Sequence, residues 1–250
     1  MDKTKIRLLR LNKEFSHVKI LLKEYLSTIV VNKNKAVTTF FNLNFSGKQS
    51  VIVVNFNYTN TINQYLSDFF FSSSSFTREF RSVVYNYFIH GDLNSDLTFG
   101  YGDDDSEEYK LMKKTGRDEY LENFKTFHYL EDNNYRELIS ILEGLENYET
   151  YILGHSLSLT DKTLLYEILS PEKCYNIHLF YRLDISNEDK KRREIKKLHF
   201  NISRILNNDN DSRKKNNTIE LSPHFTYKQS DNNIIQDKVD VIYESGAVDY

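Results

Sequence analysis

Apolar residues near the start of the sequence recur every three or four positions, with Lys, Arg and Glu between them. They are Leu8, Leu11, Phe15, Val18, Leu22, Tyr25 and Ile29. This spacing aligns them along one stripe and predicts an amphipathic helix over residues 5–31. The stripe also fits a coiled-coil seam, but the intervening charges form no clear pairing code, so we expect the helix to pack onto a sheet.

Four short runs rich in β-branched and aromatic residues predict strands. They cover residues 52–55, 84–89, 151–153 and 177–181. Stretches with helical spacing alternate with them, namely TNTINQYLSDFF, GRDEYLENFKTF, NNYRELISILEGL and KTLL. Alternating strands and helices predict an α/β fold, in which one mainly parallel, Rossmann-like sheet contains all four strands and has helices on both faces.

Composition changes near residue 207, after which Asn, Asp, Lys and Ser dominate. Such a segment buries too little apolar surface to fold alone. We therefore predict one α/β domain over residues 1–206 and a partly disordered tail over residues 207–250. Short extended pieces within the tail are expected near TIELSP and VDVIYES.

The net charge of the 250-residue chain is -3, and its isoelectric point is near 6.2. This net charge does not favour a protein that binds nucleic acid mainly through its phosphates, although it is compatible with a local basic patch. Cys174 is the single cysteine, and the sequence shows neither a signal peptide nor a long apolar run. These features predict a cytoplasmic protein without a membrane partner.

Polar side chains follow the first two predicted strands, at the sheet edge where parallel α/β proteins bind ligands. Asn57, in NFNYTNT, has an amide donor and acceptor that suit a ribose hydroxyl or an attacking water. His90, in FIHGD, has an imidazole that suits general-base chemistry. The structural alternatives are a helix-capping turn around Asn57 and a histidine whose hydrogen bonds are satisfied.

The third strand end carries the most specific local pattern, YILGHSLSLTDKTLL. Gly154 at the strand tip suits backbone approach to a nucleotide, and Ser156 and Asp161 could bind ribose hydroxyls. The competing interpretation makes Gly154 a tight turn and Asp161 or Thr160 a helix cap. The G-x-S-x-G elbow of serine hydrolases lacks its second glycine here, and no paired-cysteine or HExxH pattern indicates a metal site.

The order of these motifs resembles that of the bacteriophage abortive-infection AbiH family over about residues 45–215. The shared elements are NFNYTNT, HGD, FGYGDD, FKTFHYLEDNNYREL, ILGHSLSLTDKTLL, CYNIHLFYR and HFNISRILNNDND. Through its Asn-Tyr, His-Gly and Gly-x-Ser-Leu-x-x-x-Asp elements, that family is in turn distantly similar to the sirtuin-like domains of bacterial antiphage proteins. Those domains have a Rossmann-type sheet and bind or hydrolyse NAD.

The resemblance implies an antiphage protein with a site that binds NAD or cleaves its nicotinamide–ribose bond, without a metal. Asn57 would position water or ribose, and His90 would be the base. The other residues implied for the nucleotide pocket are Tyr58, Gly91, Gly154, Ser156 and Asp161. This chemistry depends on orientation more than on a strong nucleophile. Because Asn57, His90, Gly154 and Ser156 each follow the carboxyl end of a predicted strand, we expect them to meet at one end of the sheet.

One departure from the family pattern concerns phosphate binding. AbiH proteins usually begin with a strand and a Gly-Asn-Gly-Phe-Asp-like loop, whereas this sequence begins with the helical KIRLLRLNKEF. Such a loop would hold the pyrophosphate at a helix N-terminus, so we expect weak binding and little turnover. Either the chain is truncated or split, or another segment or a partner chain supplies the missing strand. A homo-oligomer is a separate alternative for its partners. A nucleotide sensor without turnover and an interaction module remain alternatives.

Overall fold

The computed structural model describes residues 2–30, 34–45, 50–72, 83–102, 106–131, 133–169, 173–180, 188–206 and 219–221. The chain divides into two compact units, Met1–Glu143 and Gly144–Tyr250, called unit 1 and unit 2 here. Each unit is described by itself. The assignment of residues 1–206 to one domain stays a prediction.

Unit 1 combines helices with a two-stranded sheet. Its described elements are α1 (Lys3–Ser27), α2 (Lys35–Phe45), β1 (Ser50–Asn55), α3 (Thr61–Ser72), β2 (Val83–Phe88), α4 (Glu107–Lys114), α5 (Lys125–Glu131) and α6 (Asn133–Gly144). Strands β1 and β2 are parallel and in register, from Ser50 beside Val83 to Asn55 beside Phe88. Both strands therefore end at the same edge, where the turns that contain Asn57 and His90 begin.

Helix α1 forms as predicted, but polar contacts fix its orientation. Asn12 is its one buried residue, and the Asn12 Nδ2 atom donates a 2.9 Å hydrogen bond to the carbonyl oxygen of Glu119. The side chains of Leu11, Val18 and Tyr25 are 58, 48 and 64% exposed. These three residues of the apolar stripe are therefore not used for the predicted packing onto a sheet.

Unit 2 contains a parallel sheet with β4 at its centre. Its described elements are β3 (Tyr148–Leu153), α7 (Lys162–Leu169), β4 (Cys174–Phe180), α8 (Glu188–Leu206) and β5 (Ile219–Leu221). Strand β4 pairs in parallel with β3 and with β5. Helix α7 packs against both β4 and α8. Fully buried side chains from these three elements form the core of the unit, including Leu164, Ile177 and Ile205.

The parallel α/β class is confirmed, and all four predicted strands exist. The prediction that they share one sheet is wrong for the described residues. There β1 pairs with β2, whereas β4 pairs with β3 and β5 in a second sheet. Three helices separate β2 from β3 along the chain, so each strand pairs with a neighbour inside its own unit. The Rossmann-like arrangement stays a prediction.

The stretch GRDEYLENFKTF is not the continuous helix that its spacing predicts. It forms a 3₁₀ turn at Asp118–Tyr120, leaves helical geometry, and re-enters it at Lys125, where α5 begins. The cause is a backbone bridge between Tyr101 and Phe124, since the Lys125 N–H donates to the carbonyl oxygen of Tyr101 at 2.9 Å. This long-range bond competes with the local helix.

Helices α2, α4 and α8 were not predicted at all. Strand β5 is confirmed as a short extended piece in TIEL. The other parts of the predicted tail, residues 207–218 and 222–250, lie outside the described residues.

Candidate functional site

The turn after β1 is organised by Asn55 rather than by Asn57. Asn55 is 6% exposed, and its Oδ1 atom accepts hydrogen bonds from the backbone N–H of Asn57 at 2.9 Å and from Asn57 Nδ2 at 3.3 Å. This is the short side-chain-to-backbone bond typical of asparagine turns. Asn57 itself is exposed at the carboxyl edge of the sheet. The turn interpretation thus applies to Asn55, and Asn57 is the side chain presented to solvent.

His90 is buried directly beside this turn, with both ring nitrogens in contact. Its side chain is 5% exposed, and Nδ1 lies 3.2 Å from the carbonyl oxygen of Phe56. Because a carbonyl oxygen only accepts, Nδ1 carries the proton. In the neutral ring Nε2 is then the acceptor, and it lies 3.3 Å from the hydroxyl of Tyr129 and 3.3 Å from Nζ of Lys125.

Lys125 and Tyr129 complete this group, and the sequence prediction did not include them. They lie one helical turn apart on α5, so both side chains project from the same face. Lys125 is 5% exposed and Tyr129 is 2% exposed. Their signal is the i, i+4 spacing in FKTFHYLEDNNYREL, but spacing alone does not show that His90 lies opposite. Phe56, Tyr58, His90, Lys125 and Tyr129 are called the His90 cluster below.

Tyr58 and Gly91 hold the loop that follows β2. The Tyr58 ring centroid is 6.1 Å from that of His90, and its hydroxyl donates to the carbonyl oxygen of Thr98 at 3.1 Å. Gly91 has a φ of +75°, and a Cβ atom there would lie 2.2 Å from the carbonyl oxygen of Asp96. Tight loop packing therefore explains this glycine in unit 1.

The turn after β3, residues 154–161, is called the His155 turn. Gly154 has a φ of +71°, and a Cβ atom there would meet nothing within 4 Å. Ser156 is exposed, and its carbonyl oxygen accepts a 3.0 Å hydrogen bond from Nδ2 of Asn201. Leu157 has a φ of 54° although it is fully buried, which is a strained conformation for a branched residue.

His155 and Asp161 form a polar pair in this turn, and His155 is a third residue that the sequence prediction omitted. The backbone N–H of Leu157 donates to Nδ1 of His155 at 3.0 Å, so the neutral ring carries its proton on Nε2. Nε2 lies 3.6 Å from Oδ2 of Asp161, which is 5% exposed. Ser158, rather than Thr160 or Asp161, caps the 3₁₀ turn that precedes α7.

A third polar group lies on one face of the β3–β4 sheet. Nε2 of His178 lies 3.4 Å from Oε2 of Glu149, and the hydroxyl of Tyr151 donates to the same oxygen at 3.0 Å. The Tyr175 hydroxyl also donates to Glu149, and this hydrogen bond to a carboxylate raises the pKa of Tyr175 to about 12. The group contributes charge pairing to unit 2, but it does not follow a strand end.

The predicted site residues thus fall into two groups. Asn57, Tyr58, His90 and Gly91 lie together in unit 1. Gly154, Ser156 and Asp161 lie in the His155 turn of unit 2. Their convergence into one pocket stays a prediction. Within the described parts of the chain, no three His, Cys, Asp or Glu side chains are grouped as metal ligands would be.

No helix in the described part of the chain combines the length and apolar character needed to cross a bilayer. Among known proteins, no curated protein and no solved structure matches the chain. A family model described as "Bacteriophage abortive infection AbiH" matches residues 2–183, which include both strand-end turns and the whole of α1. The chain therefore belongs to the bacteriophage abortive infection AbiH family.

Proposed function

We propose that this AbiH-family protein acts in abortive infection by binding a nucleotide, NAD, at the His90 cluster. The observation that carries the proposal is the position of His90, Lys125 and Asn57 at the carboxyl edge of two parallel strands. Ligands of parallel α/β proteins bind at this edge. The proposal concerns unit 1 alone, and the contribution of the His155 turn is tested separately below.

Lys125, the neighbouring Asn57 and His90 each offer a contact that a nucleotide needs. The Lys125 ammonium favours a phosphate oxygen, and the exposed amide of Asn57 can both donate to and accept from a ribose hydroxyl. The contact from the Tyr129 hydroxyl to Nε2 of His90 is 3.3 Å long, beyond the usual distance for an O–H donor. A ligand hydroxyl that reaches Nε2 would take the place of this contact.

Binding is better supported than rapid cleavage. Nε2 of His90 lies 3.3 Å from Nζ of Lys125, and an amine in this position suits a phosphate oxygen of a bound nucleotide. A positive charge on that amine would oppose an oxocarbenium-like centre, whereas it would attract a pyrophosphate.

Slow cleavage of the nicotinamide–ribose bond is the second candidate function. It is favoured by the bond from Nδ1 of His90 to the Phe56 carbonyl, because that bond fixes the lone pair on Nε2. A fixed neutral imidazole with its lone pair directed into a cluster of donors is the form that a general base requires. His90 would then accept the proton of a ribose hydroxyl or of water.

Calorimetry with NAD and with ATP tests binding, and mass spectrometry of the same mixtures tests turnover. We expect NAD to bind, and Asn57→Ala and His90→Gln to weaken binding at least tenfold. Any NAD cleavage should fall by roughly 10²–10⁴-fold in His90→Gln, as for loss of a general base. His17→Gln is the matched control, because His17 is an exposed histidine on α1.

Circular dichroism of each variant separates loss of the site from loss of the fold. If the unaltered chain neither binds nor consumes NAD or ATP, the proposal is wrong and the interaction-module alternative is favoured. Equal effects of His90→Gln and His17→Gln would remove His90 from the site.

A further inference from the structure

Helix α8 has a charge opposite to that of the whole chain. Its basic residues are Lys190, Lys191, Arg192, Arg193, Lys196, Lys197 and Arg204, and its acidic residues are Glu188, Asp189 and Glu194. The helix therefore carries seven basic and three acidic residues, whereas the net charge of the whole chain is -3. Positive charge is concentrated on one element of unit 2.

Basic residues lie on the exposed face of this amphipathic helix. Ile202 and Ile205 on the opposite face are 2 and 0% exposed. Arg192, Lys196, Phe200 and Arg204 are all exposed, and their i, i+4 spacing places them in one row about 18 Å long. This row is called the α8 stripe.

An aromatic ring lies within the α8 stripe, between two cations. Phe200 is 50% exposed. Nζ of Lys196 lies 5.9 Å from the centroid of its ring, and Cζ of Arg204 lies 6.0 Å from it. A shallow depression beside the stripe is lined by Asp189, Arg192, Arg193 and Lys196.

We propose that the α8 stripe binds single-stranded nucleic acid. Cations along the helix would contact successive phosphates, and a base would stack on the exposed ring of Phe200. Stacked aromatic rings within a positively charged track are the common basis of single-strand binding, and base–aromatic stacking tolerates any sequence. The acidic remainder of the chain repels the same ligand and so favours the α8 stripe over other surfaces.

Duplex DNA and an anionic membrane match the α8 stripe less well than a single strand does. Duplex DNA would satisfy the cations, but its bases are already stacked and leave no contact for Phe200. An anionic membrane needs a broad apolar face, and on the described part of α8 Phe200 is the one large apolar side chain with high exposure. A ring flanked by cations is matched best by an unpaired base flanked by phosphates.

Fluorescence anisotropy with a labelled 20-nucleotide oligo-dT at about 50 mM salt tests the proposal. The full chain should bind, and the triple variant Arg192→Glu, Lys196→Glu, Arg204→Glu, which reverses every charge of the α8 stripe, should weaken binding by at least 100-fold. For every phosphate that the variant no longer neutralises, the slope of log affinity against log salt should decrease by about 0.7. Phe200→Ala should weaken binding about tenfold, as expected when one stacked base is released.

The matched control is the triple variant Lys3→Glu, Arg7→Glu, Lys13→Glu on α1, which alters three exposed basic residues of another helix. It should change affinity less than twofold. Equal losses in both triple variants, or no binding by the unaltered chain, would overturn the proposal. So would an unchanged affinity of Phe200→Ala, which indicates binding of any polyanion, or preferential binding to vesicles of 70% phosphatidylcholine and 30% phosphatidylserine.

Discussion

The His90 cluster and the His155 turn contain the same residue types, but the ring nitrogens of their histidines have opposite donor and acceptor roles. Each has a histidine and a glycine with positive φ at the end of a parallel strand. In His90, Nδ1 donates to a carbonyl and Nε2 faces an ammonium group. In His155, Nδ1 accepts from a backbone N–H and Nε2 faces the carboxyl group of Asp161.

This difference shows that the neighbours of a strand-end histidine decide what it can do. Nε2 of His90 is an acceptor that faces the Lys125 amine, which is the contact on which the proposed binding of a phosphate-bearing ligand depends. Nε2 of His155 is a donor already directed at a carboxyl group, and its ring closes the turn by accepting the N–H of the strained Leu157. We therefore infer a ligand-binding role for the first histidine and a structural role for the second.

Replacement of the two glycines gives the largest expected difference in stability between the His90 cluster and the His155 turn. A Cβ atom at Gly91 would lie 2.2 Å from the backbone oxygen of Asp96, whereas one at Gly154 would meet nothing within 4 Å. Both replacements by Ala incur the cost of a left-handed backbone, about 1–2 kcal/mol. Gly91→Ala must also displace backbone, so we expect it to lower the free energy of unfolding by about 3–5 kcal/mol in total.

Urea denaturation followed by circular dichroism measures both effects, with Gly154→Ala as the matched control. Equal destabilisation by the two variants would show that loop packing around Gly91 is less tight than the geometry indicates. If Gly154→Ala loses no more stability than this backbone cost but weakens NAD binding, backbone approach of the ligand to unit 2 would be supported.

The strands were predictable from local pattern, whereas three helices were missed and the residues that surround His90 depend on tertiary contacts. Strand positions, and the place of His90 at a strand end, follow from apolar runs that end in polar turns. Lys125 and Tyr129 lie beside His90 on α5, and α5 begins at a long-range hydrogen bond to Tyr101, which periodicity does not reveal. The basic face of α8 was overlooked for another reason, since the net charge of the whole chain conceals a local excess of cations.

The next largest effect concerns the carboxyl group that faces His155. Asp161 is 5% exposed, and its Oδ2 atom accepts the hydroxyl of Thr160 at 3.3 Å and lies 3.6 Å from Nε2 of His155. Asp161→Asn removes a buried charged acceptor, so we expect the free energy of unfolding to fall by about 1–3 kcal/mol. Thermal denaturation measures this loss.

NAD calorimetry on Asp161→Asn then separates the structural role from the predicted pocket role. If the role is structural, the folded variant should bind NAD within twofold of the unaltered chain. A tenfold weaker affinity in a variant of unchanged stability would instead assign Asp161 to the nucleotide pocket.

Lys125→Met tests the positive setting of His90. Methionine keeps most of the buried volume and removes the charge, so we expect NAD affinity to fall about tenfold, equal to about 1.4 kcal/mol. Lys162→Met is the control in unit 2, because Lys162 is also buried, at 8% exposure, at the start of α7. Both affinities come from the same calorimetric assay.

The outcome that contradicts this prediction is specific. If Lys125→Met binds NAD as well as the unaltered chain but cleaves it faster, Lys125 would slow the cleavage reaction and would not contact a phosphate. Equal losses in the two lysine variants would mean that the measured effect is a general consequence of removing buried charge.

The smallest expected effect is a pH dependence confined to the helix that supports His90. His128 lies on α5, and its pKa is lowered by burial and by the nearby charge of Lys19, while Glu131 and Asp96 act in the opposite direction. Its Nε2 is buried and has no hydrogen-bond partner among the described residues. The neutral ring therefore suits the folded state better than the charged ring does.

The sign of the effect follows from this lowered pKa. Between the lowered value and the ordinary value of 6.5, the unfolded chain binds more protons than the folded chain, so stability increases with pH through this window and declines as pH falls through it. Solvent screening of this half-buried ring keeps the effect on stability small. Hydrogen exchange at pH 5.5 and 7.5 should show faster opening of α5 at the lower pH, with the His155 turn less affected. His128→Gln should remove the difference, and a pH response that persists in this variant would assign the effect to other groups.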